Sequence, residues 1–171
     1  PKGAGNVLHS SKTGYNIRKF QDESVAVTGG ISPNRPFILY RLAEIYLNYA
    51  EAQYQLKNEN EARTFLNKVS KRALQPDITA SGTELYEAIK RERRVELSFE
   101  MHNYFDERRW MQIDHLGMDI RGLKWNKNAD GSLRMTEYTV VKRPWWDKHY
   151  YLPIPNSEIE KAPAMVQNYG Y

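Results

Sequence analysis

Residues 37–56 read FILYRLAEIYLNYAEAQYQL, and the fold turns on this stretch. Ile38, Arg41, Leu42, Ile45, Tyr46, Tyr49, Ala52 and Gln53 recur at the spacing of one helix face, which predicts a helix running to about Leu56. Lys57-Asn58-Glu59-Asn60 is a polar turn. A second helix follows, with Ala62, Phe65, Leu66 and Val69 on its buried face. It must end before Pro76, because the residue ahead of a proline is pushed out of helical geometry. So short a connection makes the two helices an antiparallel hairpin.

Outward from this hairpin the pattern changes several times. Thr83 is placed to cap a third helix, whose Leu85, Ile89, Glu96 and Phe99 continue to about Glu100. A break near Met101-His102-Asn103 is followed by a shorter helix through Trp110 and Met111. Leu123 to Val141 reads as a β-hairpin around Asn128-Ala129-Asp130-Gly131. Beyond it the helical period is lost, apart from a short piece near Ser157–Glu160, where Ser157 and Glu160 have capping-box spacing. Toward the N-terminus, glycines and prolines mark residues 1–36 as an extended arm, with one short strand expected over Tyr15–Phe20. The expected fold is therefore mainly α, with helical pairs, a small β-hairpin and a long irregular C-terminal arm. It is read as a single domain over 1–171, divided into the arm at 1–36, helices at 37–116, and hairpin with irregular arm at 117–171. Ala50, Ala62, Leu66 and Val69 sit where a tetratricopeptide repeat places its small and packing residues. One such repeat cannot bury its own faces, so neighbouring repeats are expected.

Composition narrows the function. No apolar run approaches the roughly 20 residues of a membrane helix. The chain opens Pro1-Lys2-Gly3, as a processed form or a fragment would. It has no cysteine, which excludes disulfides, thiolate metal sites and a lipid-modified cysteine within these residues. The net charge is +4, but acids punctuate even the densest basic cluster, Lys90-Arg91-Glu92-Arg93-Arg94. A solvated helix face with ion pairs explains that better than nucleic-acid binding. Tyr and Trp are abundant, at 12 and 4 residues, which suits sugar binding, protein interfaces and an aromatic-rich core alike.

Four groups of residues are candidate sites. Glu92, Glu96 and Glu100 share a helix face, whereas a glycosidase places its two carboxyls about 5–9 Å apart across a cleft. Beside Arg91, Arg93 and Arg94 they are better explained by ion pairing. Asn126 to Glu137 nearly fits the twelve-residue calcium loop, with Asn128, Asp130, Gly131 at the sixth place and Glu137 at the twelfth. Asn126 in place of Asp, the cations Lys127 and Arg134, and strand-like flanks favour a hairpin turn with no cation. His9, His102, His115 and His149 lack zinc-motif spacing, and neither a nucleophile elbow nor a glycine-rich phosphate loop occurs. No metal and no cofactor are expected. Trp145, Trp146, Tyr150 and Tyr151 form an aromatic cluster that is either a sugar platform or, by alternation along an extended segment, half core.

Three stretches together resemble the SusD/RagB family. The first is Gly14-Tyr15-Asn16-Ile17-Arg18-Lys19-Phe20 leading to Tyr40–Ala52. The second is Ile89–Glu100, continuing to Tyr104-Phe105-Asp106-Glu107-Arg108-Arg109-Trp110. The third is Tyr151-Leu152-Pro153-Ile154-Pro155-Asn156-Ser157-Glu158-Ile159 with Gln167–Tyr171. The resemblance implies the C-terminal part of a protein lipid-anchored, through an upstream cysteine, outside the outer membrane of Bacteroidetes-type bacteria. Such proteins are built on tetratricopeptide-like helical pairs, sit as a lid on a TonB-dependent (SusC-like) transporter, bind oligosaccharides or peptides, and are not enzymes. Family members are much longer, and most of their ligand-binding segment would lie upstream, so Trp145, Trp146 and Tyr151 are the only ligand-binding candidates here. Tyr169 departs from the family pattern, which often has Pro. Charges at Arg94, Glu96, Glu100, Asp106 and Arg109 are expected to form one network locking the third and fourth helices, since buried charges must be paired. The alternatives are a helical-repeat scaffold whose only ligand is a protein and, third, an enzyme acting on glycans.

Overall fold

The computed structural model describes residues 11–20, 38–112 and 117–171. Most of the arm read over 1–36, Phe37, and residues 113–116 therefore lie outside the described residues. The chain divides into two compact units, Asp22–Asp106 and Pro1–Gln21 with Glu107–Tyr171. Its described elements are mainly helical, with a single two-stranded sheet.

In the first unit, α1 (Leu42–Gln55) and α2 (Glu59–Arg72) pack along each other, and α3 (Gly82–Glu96) lies against both. Their shared core is Leu47, Ala50, Ala62, Leu66, Val69, Leu85, Ala88, Ile89 and Leu97. Small Ala50 and Ala62 let α1 and α2 approach closely, while the larger aliphatics fill the space around them. The buried face expected for α2 is the one observed. Along α1, Leu42, Ile45 and Tyr49 of the face traced in the sequence stay exposed, while Leu47 and Ala50 turn inward. This helix is apolar on two sides, and periodicity alone does not say which side meets a partner.

α3 begins two residues earlier than Thr83 suggests. Ser81 is the N-cap residue, and the Gly82 N–H donates to both carboxylate oxygens of Glu59 at 3.1 and 3.2 Å. The first residue of α2 thus supplies negative charge to the N-terminus of α3, where the helix dipole favours it. α3 stops at Glu96. Phe99 and Met101 take left-handed backbone angles (φ 63° and 66°), and the chain turns into α4 (His102–Arg109).

In the second unit, β1 (Ile120–Lys127) and β2 (Leu133–Val141) pair antiparallel, Lys127 opposite Leu133. Residues 11–20 cross this hairpin without forming a ladder of their own, so the strand expected over Tyr15–Phe20 is absent. Instead, the Thr13 carbonyl accepts from the Leu123 N–H at 2.8 Å, and the Tyr138 hydroxyl donates to the Lys12 carbonyl. The crossing is close enough that a Cβ on Gly122 would fall 2.9 Å from Thr13 Cα, and one on Gly14 2.3 Å from the Leu123 oxygen. Farther on come a short 3-10 turn at Asp147–Tyr150 and α5 (Asn156–Lys161). The N-cap of α5 is Pro155, which has no side-chain acceptor, so the Ser157–Glu160 capping box is not formed.

Candidate functional site

Of the charged residues expected to form one network, the three acids Glu96, Glu100 and Asp106 gather around two arginines, in two clusters and not one. Arg41, just ahead of α1, donates Nε and Nη2 to the two carboxylate oxygens of Glu100, each at 2.7 Å. The same guanidinium reaches the Glu96 carboxylate and, at 2.6 Å, the Glu96 carbonyl. Arg72 of α2 closes on the Glu96 carboxylate from the other side at 2.6 Å. The Glu100 hydrogen bond is the main reason that Arg41 holds its proton more firmly than an ordinary arginine. Deeper in the unit, buried Arg93 grips Asp106 with a fork of two bonds, 3.0 and 3.1 Å. It also donates to Asn48 at 2.5 Å and faces Glu51 at 3.8 Å. Glu96, Glu100 and Asp106 are thus held by Arg41 and Arg93, which sequence reading did not place in the network. Arg109 is exposed, its guanidinium 4.6 Å from the centre of the Trp110 ring. These clusters have the geometry of a framework, with every named acid opposite a cation.

The calcium-like loop spends its oxygens internally. Asp130 accepts from the Ser132 N–H at 2.9 Å and the Ser132 hydroxyl at 2.6 Å, which lowers its carboxyl below the usual range. Gly131 has φ 87°, a position suited to glycine. Asn126 bonds across the strands to Thr136, and Asn128 to Ser132.

The aromatic cluster divides, though not by strand alternation, because the 3-10 turn at Asp147–Tyr150 interrupts the extended segment: Trp145 and Tyr150 are half-buried, Trp146 and Tyr151 exposed. Trp145 is half-buried, edge-on to His149 and Tyr150 with ring centres 5.3 and 5.1 Å away, and Arg108 lies 5.7 Å from its ring. Trp146 points out and is 57% exposed. Its backbone N–H donates to His149 Nδ1 at 3.3 Å, which assigns the hydrogen of the neutral imidazole to Nε2. Tyr151 is also exposed, and its carbonyl accepts from the Tyr171 hydroxyl at 3.2 Å.

The C-terminal residues complete a concavity here. Gln167 pairs both ends of its carboxamide with the backbone of Ile154, 2.8 Å each, and Asn168 donates to the Leu152 carbonyl at 2.7 Å. Gly170, at φ 83°, then lies so close to Lys148 that a Cβ would stand 2.7 Å from the Lys148 Cβ. The result is an open groove of about 470 Å³ lined by Trp146, Asp147, Lys148, His149, Tyr169 and Gly170. Of the three aromatic candidates only Trp146 lines it. Sequence reading missed Tyr169 as a site residue. The available signal was its place directly after Gln167 and Asn168, two amides that could anchor to the Leu152–Ile154 backbone.

Comparison with protein families matches residues 2–171 to the SusD family. The chain belongs to the SusD family. It is 32% identical over 149 residues to SusD-like protein P25 of Formosa agariphila, covering 82% of this chain and 25% of that one. A SusD-like protein of Bacteroides ovatus is 27% identical over 162 residues, with 78% of this chain and 29% of the relative covered. The crystal structure of a SusD-like protein from Bacteroides fragilis superposes with a TM-score of 0.70 at 33% identity, covering 78% of this chain and 26% of that structure. The chain thus spans about a quarter of the length of the SusD-like proteins it matches. Among the described residues no helix is long and apolar enough to cross a membrane.

Proposed function

We propose that this chain is part of a non-catalytic nutrient-binding protein that captures oligosaccharides for a SusC-like TonB-dependent transporter at the outer membrane. The observation that carries this reading is the SusD family match along residues 2–171. In this reading α1 and α2 are one tetratricopeptide-like pair of a longer array, the C-terminal residues are an irregular arm, and a lipid on an upstream cysteine holds the protein outside the cell. The acids most open to a catalytic interpretation, Glu96 and Glu100, are committed to Arg41 and Arg72. That supports binding without hydrolysis. The test is calorimetric titration of the full-length protein with oligosaccharides, alongside a hydrolysis assay. Saturable binding with no cleavage is expected; cleavage lost on Glu96→Gln would replace the reading with a glycosidase.

A second reading, a repeat scaffold whose ligand is protein, draws on the exposed apolar stripe Leu42, Ile45, Tyr49 and Leu56 of α1. A full-length protein that binds no glycan yet co-purifies with a partner through that stripe would favour it.

A further inference from the structure

We propose that the groove between the 3-10 turn and the C-terminal residues is a pyranose subsite, with Trp146 and Tyr169 stacking on the sugar and Asp147 and Lys148 serving its hydroxyls. A pyranose ring presents an apolar C–H face and a rim of hydroxyls that both donate and accept. Its receptor needs an aromatic face open to solvent, with a donor and an acceptor beside it. Trp146 and Tyr169 are 57% and 78% exposed, the openness that stacking requires, yet neither sits on a loose loop. Trp146 is tied through its backbone to His149, whose ring lies edge-on to the indole at 5.1 Å. Tyr169 follows directly on Gln167 and Asn168, which bind the Leu152–Ile154 backbone with three hydrogen bonds. The backbone that carries both rings is thereby held before a ligand arrives, which lowers the ordering cost of binding. The Lys148 ammonium stands 4.8 Å from the centre of the Tyr171 ring, held at the groove instead of trailing into solvent. The Asp147 carboxylate supplies the acceptor.

The size agrees: about 470 Å³ falls within the range of small-molecule sites, about 300–1,000 Å³. An open groove with mixed lining suits a ring within a longer chain that continues past it on either side. Gly170 is part of the construction, because any side chain there would strike Lys148 and spread the groove.

This subsite rests on the nutrient-binding reading. The test is calorimetry on the full-length protein with maltohexaose, cellohexaose, xylohexaose and a galacturonate hexamer, repeated for Trp146→Ala, Trp146→Phe, Tyr169→Ala and Trp125→Ala. Trp125 is an exposed indole on β1 outside the groove and serves as control. For whichever oligosaccharide binds, Trp146→Ala and Tyr169→Ala should each weaken affinity about tenfold. Trp146→Phe should retain part of it and Trp125→Ala all of it, with unchanged circular dichroism throughout. Binding that survives both alanine changes, or falls equally with Trp125→Ala, overturns the subsite and leaves glycan capture standing. Absence of binding to every sugar overturns both.

Discussion

Removing the Asp106 carboxylate would leave the Arg93 guanidinium buried, with the more distant Glu51 as its counter-charge among the described residues. An uncompensated buried charge is costly, so Asp106→Ala should destabilise the helical unit by about 3 kcal/mol, measured by urea unfolding. Replacing both partners, as in Arg93→Met with Asp106→Leu, should cost clearly less than the sum of the single changes. Glu92 behaves oppositely. Burial, and secondarily the neighbouring Glu96, raise its carboxyl above the usual range. Its folded-state proton is therefore held more tightly than the unfolded one, so its contribution is most favourable at low pH. That contribution is lost as pH climbs from the ordinary glutamate value through the raised one. Glu92→Gln should therefore stabilise the protein above that window and change little below it. Because the side chain is half exposed, the gain should stay under about 1 kcal/mol. The sequence reading expected these acids to meet arginines. It could not name Arg41 as the partner of Glu96 and Glu100, since 55 and 59 positions separate them.

Three helices end alike. After α1, α2 and α4 the chain enters the left-handed region at Lys57, Leu74 and Met111, with φ of 66°, 57° and 54°. In each case the next two N–H groups fold back onto the last turn: Lys57 and Asn58 onto Tyr54 and Gln53, Leu74 and Gln75 onto Lys71 and Ser70, Met111 and Gln112 onto Arg108 and Glu107. Glycine normally occupies this position because a Cβ is strained there. Leu74 is 92% exposed and packs little in return. Leu74→Gly should raise stability by about 0.5–1 kcal/mol, and Leu74→Val should lower it, read as shifts in thermal midpoint. With no glycine to announce them, the ends of α1 and α2 were legible only roughly, from the polar turn at Lys57–Asn60 and from Pro76, and α4, expected through Met111, stops at Arg109. The start of α3 was misplaced for a related reason: its N-terminus is served by Glu59, on another helix. The β-hairpin was legible because Asn128–Gly131 has turn chemistry flanked by residues suited to strands. The crossing of residues 11–20 over it depends on two glycines, Gly14 and Gly122, far apart in sequence.

Taken as a whole, the chain exposes a run of apolar side chains along α1, from Leu42 through Ile45 and Tyr49 to Leu56. Contiguous patches of this kind are uncommon on monomers and mark places where something docks. Since the SusD-like relatives are about four times as long, by the quarter of their length that is matched, further polypeptide is the expected cover. The isolated 171 residues should therefore self-associate in light scattering, and Leu42→Glu with Ile45→Glu should suppress it. In the full-length protein the same pair should lower the thermal midpoint; unchanged stability there would show that the stripe is not covered. The periodicity of residues 37–56 made this apolar face visible from sequence, but a pattern reports amphipathicity and not the identity of the neighbour.

Two side-chain amides act as peptide groups. Asn67 exchanges a pair of hydrogen bonds with the backbone of Ile78, 2.8 and 3.0 Å, and Gln167 does the same with Ile154. Each joint hangs on one carboxamide, and that makes it a point of chemical ageing. Hydrolysis of the amide to a carboxylate removes the donor and sets a negative oxygen against the isoleucine carbonyl. A strand ladder has no such single weak bond. Gln167→Glu should loosen the Tyr169–Tyr171 corner, which Asn168 and the Tyr171 hydroxyl still hold, while the helices stay folded.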